Sequence, residues 1–254
     1  MAIQKAEAFV LRSQPFRTSS LLVTTFTRPF GKIKGIAKGV VREGVARPST
    51  FEPFSLLEIV FYEKLRSDLH LISEASILES YLPLRSNLES LATAYYLAEL
   101  VDQLTEPHDP HDGIFELLQC SFQWLTSLSP FRVARFFEIR LLSEIGLLPY
   151  LGGCLSCEKE NPEKVYFSVR QGAIFCFDCR KKYPDARPIS LSTLGRMRSF
   201  LSKDASKIIQ GSGAEKDDGE IADIMARFLS DRLGKRLSTQ RFLNQVRGLL
   251  VRKA

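Results

Sequence analysis

Residues 32–41, KIKGIAKGVV, alternate lysines with small residues. In an extended strand, successive side chains point to opposite faces. One face of this segment therefore carries Lys32, Lys34 and Lys38. The other face carries mostly small residues, namely Ile33, Gly35, Ala37 and Gly39. Because glycine permits bends and close approach of two backbones, such a face is typical of a strand in a tightly curved barrel.

Four further segments have the length and composition of strands. They are residues 3–12 (IQKAEAFVLR), 19–27 (SSLLVTTFT), 54–62 (FSLLEIVFY) and 69–79 (HLISEASILES). The last of these segments could be partly helical. Five short strands with no long helix between them predict a small closed barrel over residues 1–80. The oligonucleotide-binding barrel is a five-stranded fold of this kind.

Beyond the barrel, the apolar residues recur with helical spacing. The pattern predicts a helical domain whose first part covers residues 81–150, with Asn87 as the N-cap of the first helix. A second part covers residues 189–254 and starts with a helix capped by Ser190. Residues 203–219 contain a Gly-Ser-Gly triplet and a charged run, which predict a loop between two of these helices.

Two Cys-x-x-Cys hooks lie between the two helical parts. Cys154 and Cys157 form the first hook, and Cys176 and Cys179 form the second after eighteen intervening residues. Hooks separated by about 15–20 residues are typical of a zinc site, since each hook places two thiolates on one turn. Short apolar segments with a turn between them lie within this interval, so residues 151–188 are predicted to form a zinc ribbon. The predicted fold class is α+β.

A four-cysteine site leaves no coordination position open, so the pattern predicts one structural zinc ion. The metal would supply the folding energy of a ribbon that has little core of its own. A redox dithiol is the alternative interpretation, but it would require a βαβ context that the sequence lacks. Glu158 and Arg180 follow the second cysteine of each hook, where glycine is typical.

The net charge of +6 is distributed unevenly. Residues 1–50 contain nine Lys and Arg against two acids, and residues 151–254 contain twenty against twelve, around an acidic middle. Basic ends indicate a polyanionic partner, most simply a nucleic acid, although a solvated basic surface is the alternative. The candidate phosphate contacts are Arg17, Lys32, Lys34, Lys38, Arg42 and Arg47. The aromatic rings nearest to them in sequence, which could stack on bases or pack in the core, are Phe16, Phe26 and Phe30.

The last two predicted helices have apolar stripes that belong either to the core or to a groove for a peptide. Basic residues and one aromatic residue accompany these stripes, namely Arg232, Lys235, Arg236, Arg241 and Phe242. Apolar anchors beside cations suit an acidic, hydrophobic tail.

Several classes of protein do not fit the sequence. No run of about 18 apolar residues could form a membrane helix. An odd number of cysteines does not suit a secreted disulfide framework, and Glu7 lies where a signal peptide would be apolar. A soluble intracellular protein is therefore expected. No phosphate-binding loop is present, which argues against ATP hydrolysis, and no histidine lies in a catalytic motif. These observations favour a binding protein over an enzyme.

An ordered set of short motifs resembles the RecO family of bacterial recombination mediators. The motifs are Glu7–Arg12, Thr18–Val23, Phe26-Thr27, Gly31–Ile33, Ala37–Val40, Leu141–Gly146, Pro149 and the two hooks. Each motif alone is weak, but together they extend over essentially the whole chain. Some members of the family lack the cysteines, so the metal is not expected to be the common functional centre.

The resemblance implies an oligonucleotide-binding barrel, a helical domain and an embedded zinc finger. It also implies binding of single- and double-stranded DNA, annealing of complementary strands, and help in replacing single-strand-binding protein with recombinase. The implied partners are RecR, in some cases RecF, and the acidic C-terminal tail of single-strand-binding protein. The implied location is the bacterial cytoplasm, at the nucleoid.

Two other functions are compatible with parts of the pattern. A zinc-ribbon adaptor would only assemble other proteins, and its basic charge would be incidental. A zinc-dependent nuclease or deaminase would need an open metal position and a general base, and the sequence offers neither.

Overall fold

A computed structural model describes residues 2–40, 49–63, 68–202, 205–211 and 215–251. The chain divides into two compact units. The first unit comprises residues 1–127 and 239–254, and the second comprises residues 128–238. The four-segment division made from the sequence stays a prediction. Within the described ranges, no helix has the length and apolar character needed to cross a membrane.

Eight strands and seven α-helices occur among the described residues. The strands are β1 (Ile3–Phe16), β2 (Ser20–Thr27), β3 (Gly31–Ala37), β4 (Leu56–Tyr62), β5 (Leu69–Glu79), β6 (Val165–Ser168), β7 (Ala173–Cys176) and β8 (Arg187–Ile189). The helices are α1 (Leu88–Leu104), α2 (Asp112–Leu125), α3 (Pro130–Glu144), α4 (Leu191–Ser199), α5 (Ala205–Gln210), α6 (Glu215–Leu233) and α7 (Ser238–Val251).

The first five strands form a closed barrel in the order β1-β2-β3-β5-β4. The strands pair antiparallel except β3 and β5, which are parallel. The predicted five-stranded barrel is confirmed, and residues 69–79 form a strand over their whole length. The small face of β3 points inward as predicted, because Ile33 and Ala37 are buried in the barrel core. A Cβ added to Gly35 would lie only 2.6 Å from Cγ1 of Ile72, so the tight curvature requires glycine there.

Aromatic rings connect the barrel to the helices of the first unit. The ring centroid of Phe9 on β1 lies 4.9 Å from that of Phe115 and 5.6 Å from that of Phe122, both on α2. Packing of these rings covers one end of the outer face of β1, β2 and β3.

The predicted cap of α1 is confirmed, since Asn87 Oδ1 accepts hydrogen bonds from the backbone amides of Glu89 and Ser90.

In the second unit, a buried carboxylate joins three helices. Asp218 of α6 is 1% exposed. Its carboxylate accepts hydrogen bonds from Nε of Arg132 at 3.2 Å and from Nε of Arg196 at 3.1 Å. The prediction of a loop over residues 203–219 is wrong for the described part of that range, which contains α5 and the start of α6. The contacts of Asp218 with the two arginines stabilise the start of α6 as a helix. The Ser190 cap of α4 is confirmed by its bond from the amide of Thr193.

Replacing Asp218 with alanine should destabilise the second unit by about 3 kcal/mol, because two largely buried guanidinium groups would lose their counter-charge. Asp223 on the same helix has an exposed side chain, so Asp223→Ala should leave stability within about 0.5 kcal/mol of the wild type. Urea unfolding monitored by circular dichroism measures both changes. Equal stabilities of the two variants would show that the Asp218 network contributes little.

Candidate metal centre and nucleic-acid interface

The four cysteines of the two hooks converge in the second unit. All four Sγ atoms lie within 4.8 Å of one another, and those of Cys157 and Cys176 are 3.8 Å apart. A tetrahedral zinc ion with Zn–S bonds of about 2.3 Å places its ligand sulfurs about 3.8 Å apart. The cluster therefore has the size and the donor chemistry to hold such an ion.

The backbone around the hooks explains how the sulfurs are brought together. Residues 165–176 form the predicted hairpin of β6 and β7, with the left-handed Gly172 (φ 61°) in its turn. The amide of Leu155 donates to the carbonyl of Ile174 at 3.0 Å, which holds the first hook against β7. The third strand, β8, pairs with β6 and completes the ribbon sheet.

The residue that replaces glycine in the first hook adopts the conformation that glycine would provide. Glu158 has a φ of 60°, in the left-handed region, and its amide donates to the carbonyl of Cys154 at 2.8 Å. The turn is therefore kept at some cost in backbone strain. Arg180 differs, because it lies in the short 3-10 turn Cys179–Lys182.

The thiols perturb one another strongly. Burial raises the pKa of Cys154, but amide hydrogen bonds from Cys176, Cys157 and Ser156 outweigh it and lower the pKa to about 6. A hydrogen bond with Ser156 lowers the pKa of Cys179, but burial and the other three cysteine side chains raise it to about 12. Four thiolates cannot coexist here without a compensating cation, which is consistent with a metal site.

The predicted lysine face of β3 has two different environments. Lys34 and Lys38 are exposed, whereas Lys32 is 7% exposed. Nζ of Lys32 donates to the carbonyls of Asp102 at 2.5 Å and Thr105 at 2.6 Å, at the C-terminal end of α1. This position argues against the predicted contact of Lys32 with DNA, because its ammonium group is already bonded to the helix end.

Burial is the largest influence on Lys32 and lowers the pKa of its ammonium group. The carboxylates of Asp102, 3.7 Å from Nζ, and of Glu106 oppose this shift without cancelling it. Lys32 is thus a structural cation that joins β3 to α1.

Strand register adds one cation that the sequence reasoning missed. Arg12 lies opposite Thr24, and Thr24 lies opposite Lys34, so Arg12 and Lys34 share the exposed part of the outer barrel face. A register shift between Val10 and Arg12 turns the arginine outward, and only a pairing map could have revealed this. We call Arg12, Lys34 and Lys38 the basic face. No carboxylate among the described residues forms an ion pair with any of the three.

The remaining predicted contacts have varied positions. Arg17 is exposed at the tip of the β1–β2 hairpin, with its guanidinium 5.4 Å from the ring centroid of Phe16. Arg42 and Arg47 lie outside the described residues. Phe26 is fully buried, so its ring is not available for stacking. Phe30 is half-buried and its ring lies at 88° to that of Phe61. Phe16 is half-buried.

The predicted partner-binding residues are distributed over both units. In the second unit, Arg232, Lys235 and Arg236 are exposed, and the Arg232 guanidinium lies 4.8 Å from the ring centroid of Phe228. In the first unit, Arg241 is exposed and the Phe242 side chain is 44% exposed.

The chain combines a closed five-stranded barrel, whose outer face is basic, with a ribbon whose four cysteines could hold a metal ion. This combination defines a class of barrel-and-ribbon proteins. Two family models identify the family more closely, namely Recombination protein O N terminal over residues 1–81 and Recombination protein O C terminal over residues 85–241. The chain belongs to the RecO family of DNA repair proteins.

Curated relatives agree with this assignment. The chain is 30% identical over 251 residues to the DNA repair protein RecO of Syntrophus aciditrophicus (strain SB), covering 96% of both chains. It is 31% identical over 248 residues to the DNA repair protein RecO of Anaeromyxobacter sp. (strain K), covering 97% of this chain and 98% of the relative. The DNA repair protein RecO of Bacillus pumilus (strain SAFR-032) is 28% identical over 246 residues.

Proposed function

We propose that this protein is a non-catalytic recombination mediator. It binds single- and double-stranded DNA, anneals complementary strands and helps to load recombinase onto DNA coated with single-strand-binding protein. The observation that carries the proposal is the basic face, an exposed and unneutralised row of cations on the barrel of a DNA repair protein. RecR, in some settings RecF, and the acidic tail of single-strand-binding protein are the proposed protein partners.

The basic face would act by neutralising phosphates. Cations that bind two strands reduce the repulsion between the strands, so that complementary bases can meet. Half-buried Leu22 and Ile36 lie beside these cations and offer an apolar surface to bases that are not yet paired. Arg17, at the tip of the β1–β2 hairpin, adds a further exposed positive charge to the barrel.

We further propose that the four-cysteine cluster holds one structural zinc ion. Cys154, Cys157, Cys176 and Cys179 would all be ligands, and a closed set of four sulfurs leaves no position for a substrate or a reactive water. The metal would stabilise the fold of the ribbon, and the binding of DNA would depend on charge and on stacking of bases.

The double substitution Lys34→Ala and Lys38→Ala should weaken DNA binding without unfolding the barrel. If both lysines contact phosphates, the slope of log affinity against log salt for single strands should become shallower by about 1.4. Fluorescence anisotropy with a labelled oligonucleotide at four salt concentrations measures this slope. Annealing of complementary oligonucleotides precoated with single-strand-binding protein should slow in parallel.

Lys5→Ala is the matched control, because Lys5 is exposed on β1 but its charge is already neutralised by Glu58 at 2.9 Å. Its salt slope should equal that of the wild type. A double variant that binds like the wild type would exclude the basic face as the DNA site. A wild-type protein that binds no DNA would instead favour the assembly adaptor.

A further inference from the structure

One surface of the ribbon combines aromatic rings with cations in a way that the metal centre does not require. Tyr166 of β6 and Phe177, just after β7, lie on the sheet face opposite to Val165, Phe167 and Ile174, which are buried. The Phe177 side chain is 44% exposed, and Tyr166 is half-buried. The two ring centroids are 6.4 Å apart.

The guanidinium group of Arg180 lies against both rings and leaves much of Phe177 exposed. Its Cζ lies 4.5 Å from the ring centroid of Tyr166 and 4.9 Å from that of Phe177. Nζ of Lys164 lies 5.6 Å from the Phe177 centroid, so a second cation borders the same ring. These separations are those of cation–π contacts, in which a cation lies over the face of an aromatic ring.

The guanidinium of Arg180 also has unused hydrogen-bonding capacity. Its Nε is buried without a hydrogen-bond partner, and no carboxylate in the described parts of the chain lies within ion-pair distance of it. Lys181 and Lys182 follow directly and are exposed. Two exposed acids are also close in sequence, because Asp178 follows Phe177 and Glu163 precedes Lys164. Cations therefore outnumber acids around these rings.

We propose that Phe177, Tyr166 and Arg180 form a second binding site for single-stranded nucleic acid, in which an unpaired base stacks on Phe177 while Arg180, Lys164 and Lys181 contact phosphates. An exposed ring offers a stacking surface that is tolerant of base identity, and adjacent cations follow the strand backbone. A base within a duplex is already stacked on both sides, so this site selects single strands. The inference rests on the proposed function, because it assumes that the protein meets unpaired DNA.

Phe177→Leu keeps an apolar side chain but removes the ring. Its affinity for an oligothymidylate should fall about tenfold, the loss of one stacked base, while its affinity for a duplex and for an abasic strand of equal length stays unchanged. Phe177→Trp should restore wild-type affinity, and its fluorescence should be quenched by the oligothymidylate but not by the abasic strand. Tyr150→Trp is the matched control, because Tyr150 is 48% exposed in the same unit and no cation of the described residues lies over its ring. No quenching is expected for this variant.

Each variant must retain the wild-type metal content, since Phe177 lies between two of the cysteines. Equal losses on the oligothymidylate and the abasic strand would overturn stacking as the mode of recognition. Unchanged oligothymidylate binding by Phe177→Leu would overturn this site, while DNA binding by the wild type would still support the proposed function. If the wild type bound no DNA and Phe177→Trp were unquenched, both proposals would fail.

Discussion

Replacing Cys176 with serine should abolish binding of the proposed metal ion and unfold the ribbon sheet of β6, β7 and β8. Cys176 is the buried first cysteine of the second hook, and its sulfur lies 3.8 Å from that of Cys157 in the first hook. Structural zinc contributes about 10–16 kcal/mol to the folding of small zinc-finger peptides, so the ribbon should not persist without it. Atomic emission measures the metal content, which should fall from about one equivalent to below about 0.1. Hydrogen exchange of β6 and β7 should become fast.

Cys120→Ser provides the control for this experiment. Cys120 lies on α2 in the first unit and takes no part in the four-cysteine cluster, so its replacement should leave one metal per chain. Full metal occupancy in Cys176→Ser would disprove the four-sulfur assignment. A wild-type protein that is folded, reduced and free of metal would disprove the zinc proposal itself.

Lys32→Ala should destabilise the first unit by about 3 kcal/mol, because two carbonyl groups and Asp102 lose a buried cationic donor. This ammonium group joins β3 to the C-terminal end of α1. Lys34→Ala, two residues along the same strand face, should change stability by less than about 0.5 kcal/mol. Urea unfolding of the two variants compares a buried and an exposed lysine in one strand, and similar midpoints would contradict the assigned role of Lys32.

The lowered pKa of Lys32 gives this prediction a pH dependence. In the unfolded chain the amine keeps its ordinary pKa of 10.5, while burial lowers the pKa in the folded state. Between these two values the unfolded chain binds the extra proton, so the stability of the folded state rises with pH. The free energy of unfolding of the wild type minus that of Lys32→Ala, measured by urea unfolding, should therefore grow as the pH rises through this window. A pH-independent difference would contradict the shift.

The sequence was most informative where function depends on local spacing. Two hooks with a hairpin between them can converge in few ways, and the structure confirms the cluster that they predict. The strand alternation of residues 32–38 correctly placed Gly35 inside the barrel and the lysines outside. Caps at Asn87 and Ser190 were likewise readable, because each depends on a side chain and amides a few residues away.

Three features depended on the tertiary structure. The alternation of side chains along β3 identifies its outer face but cannot tell which part of that face α1 covers. Coverage by α1 is what makes Lys32 buried while Lys34 stays exposed. Arg12 joins the basic face through a register shift that belongs to the pairing of two strands. The position of Arg180 over Tyr166 and Phe177 requires the folded ribbon, because Tyr166 lies on β6 and Phe177 follows β7. Local pattern therefore determined the elements and the cysteine cluster, and contacts between distant segments decided which cations remain exposed.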